Sequence, residues 1–203
     1  MVEQSIPPIL RPDKPNQVRL SELAAELGVE ISETSEDVLL TGVSMNTGDV
    51  RSGDIFFAMP GLKTHGANFV QQAISLGAVA VATDSAGLEI LERADLPLIV
   101  VEQPRLRLGE AARFVYGNQS SDMPVMYGVT GTNGKTSTVH FLSAIFRQLG
   151  AVPGMSSSVE RHLADDIIIS RLTSPEAPES HALIARMRES KVTDVGWEVS
   201  AQA

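Results

Sequence analysis

The 203-residue sequence contains no cysteine. That excludes disulfides, thiolate zinc sites and a cysteine nucleophile, and it suits a reducing compartment. Positive charge is scarce: 16 lysines and arginines stand against 25 aspartates and glutamates, giving a net charge of −9 and an isoelectric point near 4.9. A general nucleic-acid binder needs a basic face to displace counterions, so that class is excluded. An anionic ligand must instead be held by local groups, either backbone N–H donors or a placed lysine. No apolar run approaches the roughly 18 residues of a membrane span. The opening "MVEQSIPPILRPDKP" has neither a basic n-region nor an apolar h-region, which argues against a signal peptide. The expectation is a soluble, cytoplasmic protein with no nucleic-acid or membrane partner.

What is present is an ordinary globular balance, 43% hydrophobic and 20% charged, in a length that admits one large or two small domains. Residues 1–17 carry four prolines and no periodicity, and are expected to be a mobile tail. "RLSELAAELG" has apolar residues at helical spacing, with Ser21 as the expected N-cap and Gly28 as the stop. "LLTGVSM" and "GDIFFAM" predict strands. From Gly66, helices and β-branched strands alternate to Gly117, which predicts a largely parallel sheet covered by helices. The polar stretch Asn118 to Pro124 breaks this rhythm. The predicted organisation is a domain over 18–117, a linker over 118–124 and the start of a second domain over 125–203.

In the second part, "VMYGVT" predicts a strand and "KTSTVHFLSAIFRQLG" a helix whose core side is Leu142, Ile145, Phe146 and Leu149. "VERHLADDIIISRL" predicts a hairpin turning at Asp165–Asp166, "EAPESHALIARMRES" a helix, and "VTDVGWEVS" a further strand that ends the sheet with an unpaired edge. The four histidines show no metal-ligand spacing.

Between strand and helix lies "GVTGTNGKTS". It fails the strict G-x-x-x-x-G-K-[ST] pattern, because Val129 stands where the first glycine belongs. The physics of a phosphate site survives that shift. Gly128, Gly131 and Gly134 allow successive N–H groups to form a concave anion nest at a helix N-terminus. Lys135 supplies a point charge for the β- and γ-phosphates, and Thr136 a hydroxyl for Mg²⁺. Glu198, an acid at the carboxyl end of an apolar strand, is placed as P-loop folds place a magnesium-associated carboxylate.

"TGTNGKTS" resembles the ATP loop of the Mur ligases, cytoplasmic enzymes that add amino acids to peptidoglycan precursors. "GVSMNTGDVRSGDIFFAMPGLKTHGANFVQQAISLGAVAV" is similar to the family's amino-terminal uridine-nucleotide domain, and "LTSPEAPESHALIARM" with "WEVSAQA" to its tripeptide-forming branch. The resemblance implies an α/β architecture: a small substrate domain, then the beginning of a P-loop-type parallel-sheet ATPase domain. It assigns Gly131, Thr132, Asn133, Gly134, Lys135, Thr136 and Ser137 to ATP, with Lys135 catalytic, and Thr136 and Glu198 to the metal. Thr47, Thr173, Ser174 and Ser200 fall at substrate-binding positions, with Leu62, Lys63 and Thr64 on a loop beside the uridine ligand.

The implied reaction is ATP- and Mg²⁺-dependent addition of a diamino acid, L-lysine or meso-diaminopimelate, to UDP-N-acetylmuramoyl-L-Ala-D-Glu. The diamino-acid site is expected to lie beyond Ala203, which would leave this chain inactive alone. Two departures stand out: Asn46-Thr47-Gly48 where the family has Asp-Ser-Arg, and Ala201-Gln202 where it has Ser-His. A binding module without chemistry and the sibling ligase that adds the terminal dipeptide are the alternatives.

Overall fold

The computed structural model describes residues 9–31, 37–91, 96–119, 121–170 and 175–200. The chain divides into two compact units: Lys14–Gln119, and Ser120–Ala203 joined by the segment ending at Asp13.

The first unit opens with β1 (Val18–Arg19) and α1 (Leu20–Leu27), which buries Leu20, Leu23, Ala24 and Leu27 on one side. Ser21 is not the N-cap. The cap is Arg19, two residues earlier, with Arg19 N donating to Glu22 Oε2 at 2.7 Å, and the Ser21 hydroxyl donates outward to Asp37. Gly28 closes the helix at φ 64°, a conformation open to glycine at little cost.

The predicted strand at "LLTGVSM" splits at Thr41 into two. β2 (Leu39–Leu40) pairs antiparallel with β1, whereas β3 (Gly42–Ser44) joins the main sheet. That sheet continues through β4 (Asp54–Ala58), α2 (Val70–Ser75), β5 (Ala80–Thr83), α3 (Ser85–Leu91), β6 (Leu98–Val100) and α4 (Pro104–Val115). Its order is β3-β4-β5-β6, parallel throughout, with β4 and β5 fully buried. Strands shielded on both faces need continuous apolar runs, which is what "IFFAM" and "AVAVAT" supply.

The second unit contains β7 (Val125–Val129), α5 (Lys135–Gln148), β8 (Pro153–Ser156), β9 (Glu160–Leu163), β10 (Asp166–Ile169), α6 (Ala177–Glu189) and β11 (Asp194–Glu198). Its sheet is mixed rather than purely parallel, in the order β10-β9-β8-β11-β7, with β8, β11 and β7 parallel and β9 and β10 antiparallel. α5 backs Val139 on to Gly196, while Leu183 and Met187 of α6 pack with Leu163, Val192 and Val195.

Several expectations are corrected here. The last strand, β11, is interior, and the edges of the sheet among the described residues are β10 and β7. The core side of α5 is Val139, Ser143 and Phe146; Ile145 and Leu149 are 49% and 79% exposed. The hairpin turns at Ala164–Asp165, with Ala164 at φ 58°, and Asp166 already pairs with Leu163. β8 has no counterpart in the sequence reading. Finally, residues 9–13 are not a free tail. Ile9 is buried, Leu10 packs with the α6 core, and Asp13 pairs with Arg186 at 2.5 Å.

Candidate functional site

The glycine-rich loop connects β7 to α5, the first helix after the edge strand. Gly131 has φ 144° and Gly134, the residue that caps α5, φ 80°. A Cβ on Gly134 would meet nothing within 4 Å, so glycine is required there by backbone conformation and not by space. The loop is strapped by its own lysine: Lys135 Nζ donates to the Gly131 carbonyl at 2.8 Å. The Gly134 carbonyl accepts from both the amide and the hydroxyl of Thr138, at 2.9 and 2.8 Å. Thr132, Asn133, Gly134 and Ser137 are exposed, as residues that meet a ligand from solution must be.

Beneath the loop, the structure brings Thr136 and Glu198 together. Parallel pairing aligns Glu198 with Val129, so the acid emerges beside the end of the loop's own strand. Glu198 is 3% exposed, and its Oε2 accepts from Thr136 Oγ1 at 2.9 Å. The same oxygen accepts from the Ser158 amide at 3.1 Å, and the Ser158 hydroxyl lies 3.4 Å away.

Ser158 was missed in the sequence. The run Ser156-Ser157-Ser158 is the signal that could have found it, since hydroxyls after a strand commonly serve a polar site. Among the described residues, no lysine, arginine or histidine neutralises this buried carboxylate. A carboxylate shielded from water without a counter-charge is unfavourable, and its neighbours are hard oxygen donors. The donor set therefore fits a magnesium-like cation held by Thr136 and Glu198. Ser200 is half-buried two residues beyond Glu198. Thr173 and Ser174, and the departures Ala201 and Gln202, lie outside the described residues.

The first unit has a cavity of its own, of about 290 Å³. Its walls come from the carboxyl ends of the parallel strands: Met45 to Gly48 after β3, Met59 to Gly61 with Thr64 and Gly66 after β4, and Arg105 after β6. That is where open parallel sheets bind ligands. Thr47 lines it, within a short 3₁₀ turn; of Leu62, Lys63 and Thr64 only Thr64 does, and Leu62 stands fully out in solvent.

The loop after β4 is held by His65. Its Nδ1 accepts from the Ala67 amide at 3.0 Å, so Nε2 carries the hydrogen and donates to Asp84 at 3.0 Å. Asp84 also accepts from the Gly87 amide at 2.8 Å. Gly87 is small by necessity, because a Cβ there would sit 2.6 Å from His65 Cε1.

No helix among the described residues is long and apolar enough to cross a membrane. The family model described as the Mur ligase family catalytic domain matches residues 39–116, and the Mur ligase middle domain matches 129–203. The chain is 42% identical over 197 residues to a UDP-N-acetylmuramyl-tripeptide synthetase of Leifsonia xyli subsp. xyli, covering 97% of this chain and 38% of that protein. It is 42% identical over 193 residues to a UDP-N-acetylmuramoyl-L-alanyl-D-glutamate--2,6-diaminopimelate ligase of Streptomyces coelicolor, covering 95% and 37%. The chain thus spans under two fifths of the length of these relatives.

Among solved structures, its fold is similar to a UDP-N-acetylmuramoyl-L-alanyl-D-glutamate--2,6-diaminopimelate ligase, with a TM-score of 0.71, 19% identity, and coverage of 92% of this chain and 36% of that one. It is also similar to the UDP-N-acetylmuramoylalanyl-D-glutamyl-2,6-diaminopimelate--D-alanyl-D-alanyl ligase from Acinetobacter baumannii, with a TM-score of 0.61, 19% identity, and coverage of 92% and 37%. Two family models laid end to end across the two units, and relatives matched over nearly the whole chain, agree with the loop and its buried glutamate: the chain belongs to the Mur ligase family.

Proposed function

We propose that this chain is the substrate- and ATP-binding portion of a ligase that adds a diamino acid to UDP-N-acetylmuramoyl-L-alanyl-D-glutamate in the cytoplasm, with cleavage of ATP to ADP and phosphate. The observation that carries the reading is the convergence of Thr136 and Glu198 under a glycine loop strapped by Lys135. In this reading Lys14–Gln119 holds the uridine nucleotide, with Thr47 among its contacts, and the second unit holds ATP through Gly131 to Ser137. In the same reading Thr173, Ser174 and Ser200 serve the muramoyl-peptide substrate. The names of the relatives favour 2,6-diaminopimelate as the amine and favour the tripeptide-forming branch over its dipeptide-adding sibling.

The loop's amides and Lys135 orient the triphosphate and meet the charge that builds on the γ-phosphoryl group as it passes to the D-glutamyl carboxylate. The amine of the diamino acid then displaces phosphate from the acyl carbon, forming the amide. Mg²⁺, held by Thr136 and Glu198, neutralises phosphate charge when bound. Lys135 serves catalysis by position, as a point charge placed at the phosphates.

Calorimetric titration with Mg·ATP tests this. Lys135→Ala is expected to weaken binding by about 2–3 kcal/mol, the loss of a charge-assisted contact. Equal affinity for both proteins would remove Lys135 from the phosphate site and the reading with it.

A further inference from the structure

Asparagine is a thermolabile residue, because its side-chain amide is lost when the next residue's backbone nitrogen reaches its Cγ. Bulk and restraint at the two positions decide whether that happens. Of the chain's five asparagines, Asn133 alone is followed by glycine. The others precede Gln17, Thr47, Phe69 and Gln119, whose side chains crowd the attacking nitrogen. Three of those are also held: Asn16 Nδ2 donates to the Val115 carbonyl at 3.2 Å, Asn68 Nδ2 to the His65 carbonyl at 3.1 Å, and Asn118 is buried. Asn133 and Gly134 are both exposed, outside β7 and α5. Among the described residues, neither the Asn133 side chain nor the Gly134 amide has a hydrogen-bond partner. The space where a Gly134 side chain would stand is open, so nothing shields that nitrogen.

We propose that Asn133 is a modification site: it deamidates through attack by Gly134 when the loop is empty, and bound nucleotide suppresses the reaction. The Gly134 nitrogen bonds to Asn133 Cγ as the bond from Cγ to the side-chain nitrogen breaks. Ammonia leaves, and a succinimide ring remains in the main chain. Water then opens the ring at one of its two carbonyls, giving aspartate or isoaspartate. One water enters and one ammonia departs, with no change of oxidation state. Either product opposes a triphosphate. Aspartate sets a negative charge beside Lys135, and isoaspartate adds a methylene to the main chain inside the anion nest. Protection comes from the same atom. The Gly134 amide that attacks in the empty loop is a donor that a phosphate occupies at the N-terminus of α5. This protection rests on reading Gly131 to Ser137 as the ATP loop. An unoccupied loop is thereby retired irreversibly, and an occupied one is preserved.

The test incubates the full chain at mildly alkaline pH, with and without Mg²⁺ and the non-hydrolysable imido analogue of ATP. Peptide mass spectrometry follows the gain that replacing NH₂ by OH produces. The gain should appear at Asn133 ahead of the other four asparagines. Analogue at about 100 times its Kd should slow it by about a hundredfold, because only the empty fraction reacts. Asn133→Gln, whose longer side chain closes a less favourable ring, should abolish the gain at that position. Asn133→Asp reproduces one product and should bind the analogue roughly tenfold to a hundredfold more weakly, with circular dichroism verifying its fold. If a synthetic peptide of the loop deamidates and the folded chain does not, the inference falls and the ATP-loop reading stands. Equal rates with and without an analogue that calorimetry shows to be bound would also overturn it, as would undiminished binding by Asn133→Asp. A wild type that binds no analogue overturns the inference and the ATP-loop reading together.

Discussion

In Lys14–Gln119 each edge strand of the sheet makes a contact beyond the sheet among the described residues. The amide of Val43 on β3 donates to the Tyr116 hydroxyl at 3.3 Å, and Ile99 on β6 bridges to Ile31. The sheet of the second unit is left open at both sides among the described residues. Val125, Met126 and Tyr127 of β7 are 56%, 40% and 39% exposed, and Ile167 and Ile169 of β10 are 65% and 73% exposed. Phe141 and Leu149 extend the apolar surface along α5. The two units use the same α/β grammar, yet strands β4 and β5 of the first sheet are fully buried, while the edge strands of the second expose apolar side chains. The relatives, more than twice as long as this chain, carry additional sequence, and the open surface belongs to the unit that houses the phosphate loop.

The contrast is sharpest in stability. Phe57 in β4 is fully buried, and Phe141 on α5 is 69% exposed. Phe57→Ala should destabilise the first unit by about 3–5 kcal/mol, through lost transfer energy and the cavity left behind. Phe141→Ala should stay within about 0.5 kcal/mol, as for a surface substitution. Equilibrium urea unfolding of both variants measures this, and comparable losses would mean that the flank of α5 is as well packed as the first sheet.

A smaller effect is expected at the open edge itself. A flat, apolar edge strand presents unpaired N–H and C=O groups to any similar strand, so the chain should associate with itself as concentration rises. Charges placed on that surface, Val125→Lys with Phe141→Glu, should suppress the association while leaving helix content unchanged. Sedimentation velocity over a concentration series reads the outcome. A wild type that remains monomeric throughout would show that exposure of β7 carries no such liability.

The same contrast governs what was legible in the sequence. The first unit was readable because strands buried on both faces demand uninterrupted apolar runs, and "IFFAM" and "AVAVAT" have no other use. The phosphate loop was readable because φ 80° at Gly134 and the Lys-Thr pair are local demands, met by local residues. β8 was illegible for the opposite reason. Pro153, Gly154 and Ser156 dilute its pattern, and Gly154 is chosen by a neighbour far along the chain: a Cβ there would sit 2.7 Å from Val192 Cγ1. The position of β11 between β8 and β7 is likewise set by pairing across the sheet, which no spacing in the sequence encodes. Ile145 and Leu149 were assigned to the core because helical spacing reports that a face is apolar, not whether anything covers it. Ser158 was announced only by the serine run 156–158; it matters because the fold delivers it to Glu198.

The weakest expected effect lies in the first unit, where α1 is capped from outside its own sequence. Asp37 accepts from the Ser21 amide at 3.0 Å and the Ser21 hydroxyl at 2.9 Å, with Arg19 at 3.6 Å. The backbone hydrogen bond from Ser21, aided by its hydroxyl and by the Arg19 charge, holds the Asp37 carboxyl below its ordinary value against a smaller opposing effect of burial. A carboxyl whose folded value is depressed favours folding above its unfolded value, about 3.9, and that contribution fades as pH falls through the folded value. Asp37→Asn keeps an acceptor oxygen but removes the charge, so it should lower the melting temperature slightly at pH 7, and the difference from wild type should close below about pH 4. The group is exposed, so added salt should shrink only the Arg19 share and leave the hydrogen bonds from Ser21. A difference that holds constant from pH 7 to pH 3, or widens in acid, would mean that the Asp37 charge does not cap α1. The first unit would then draw its helix stability from packing alone.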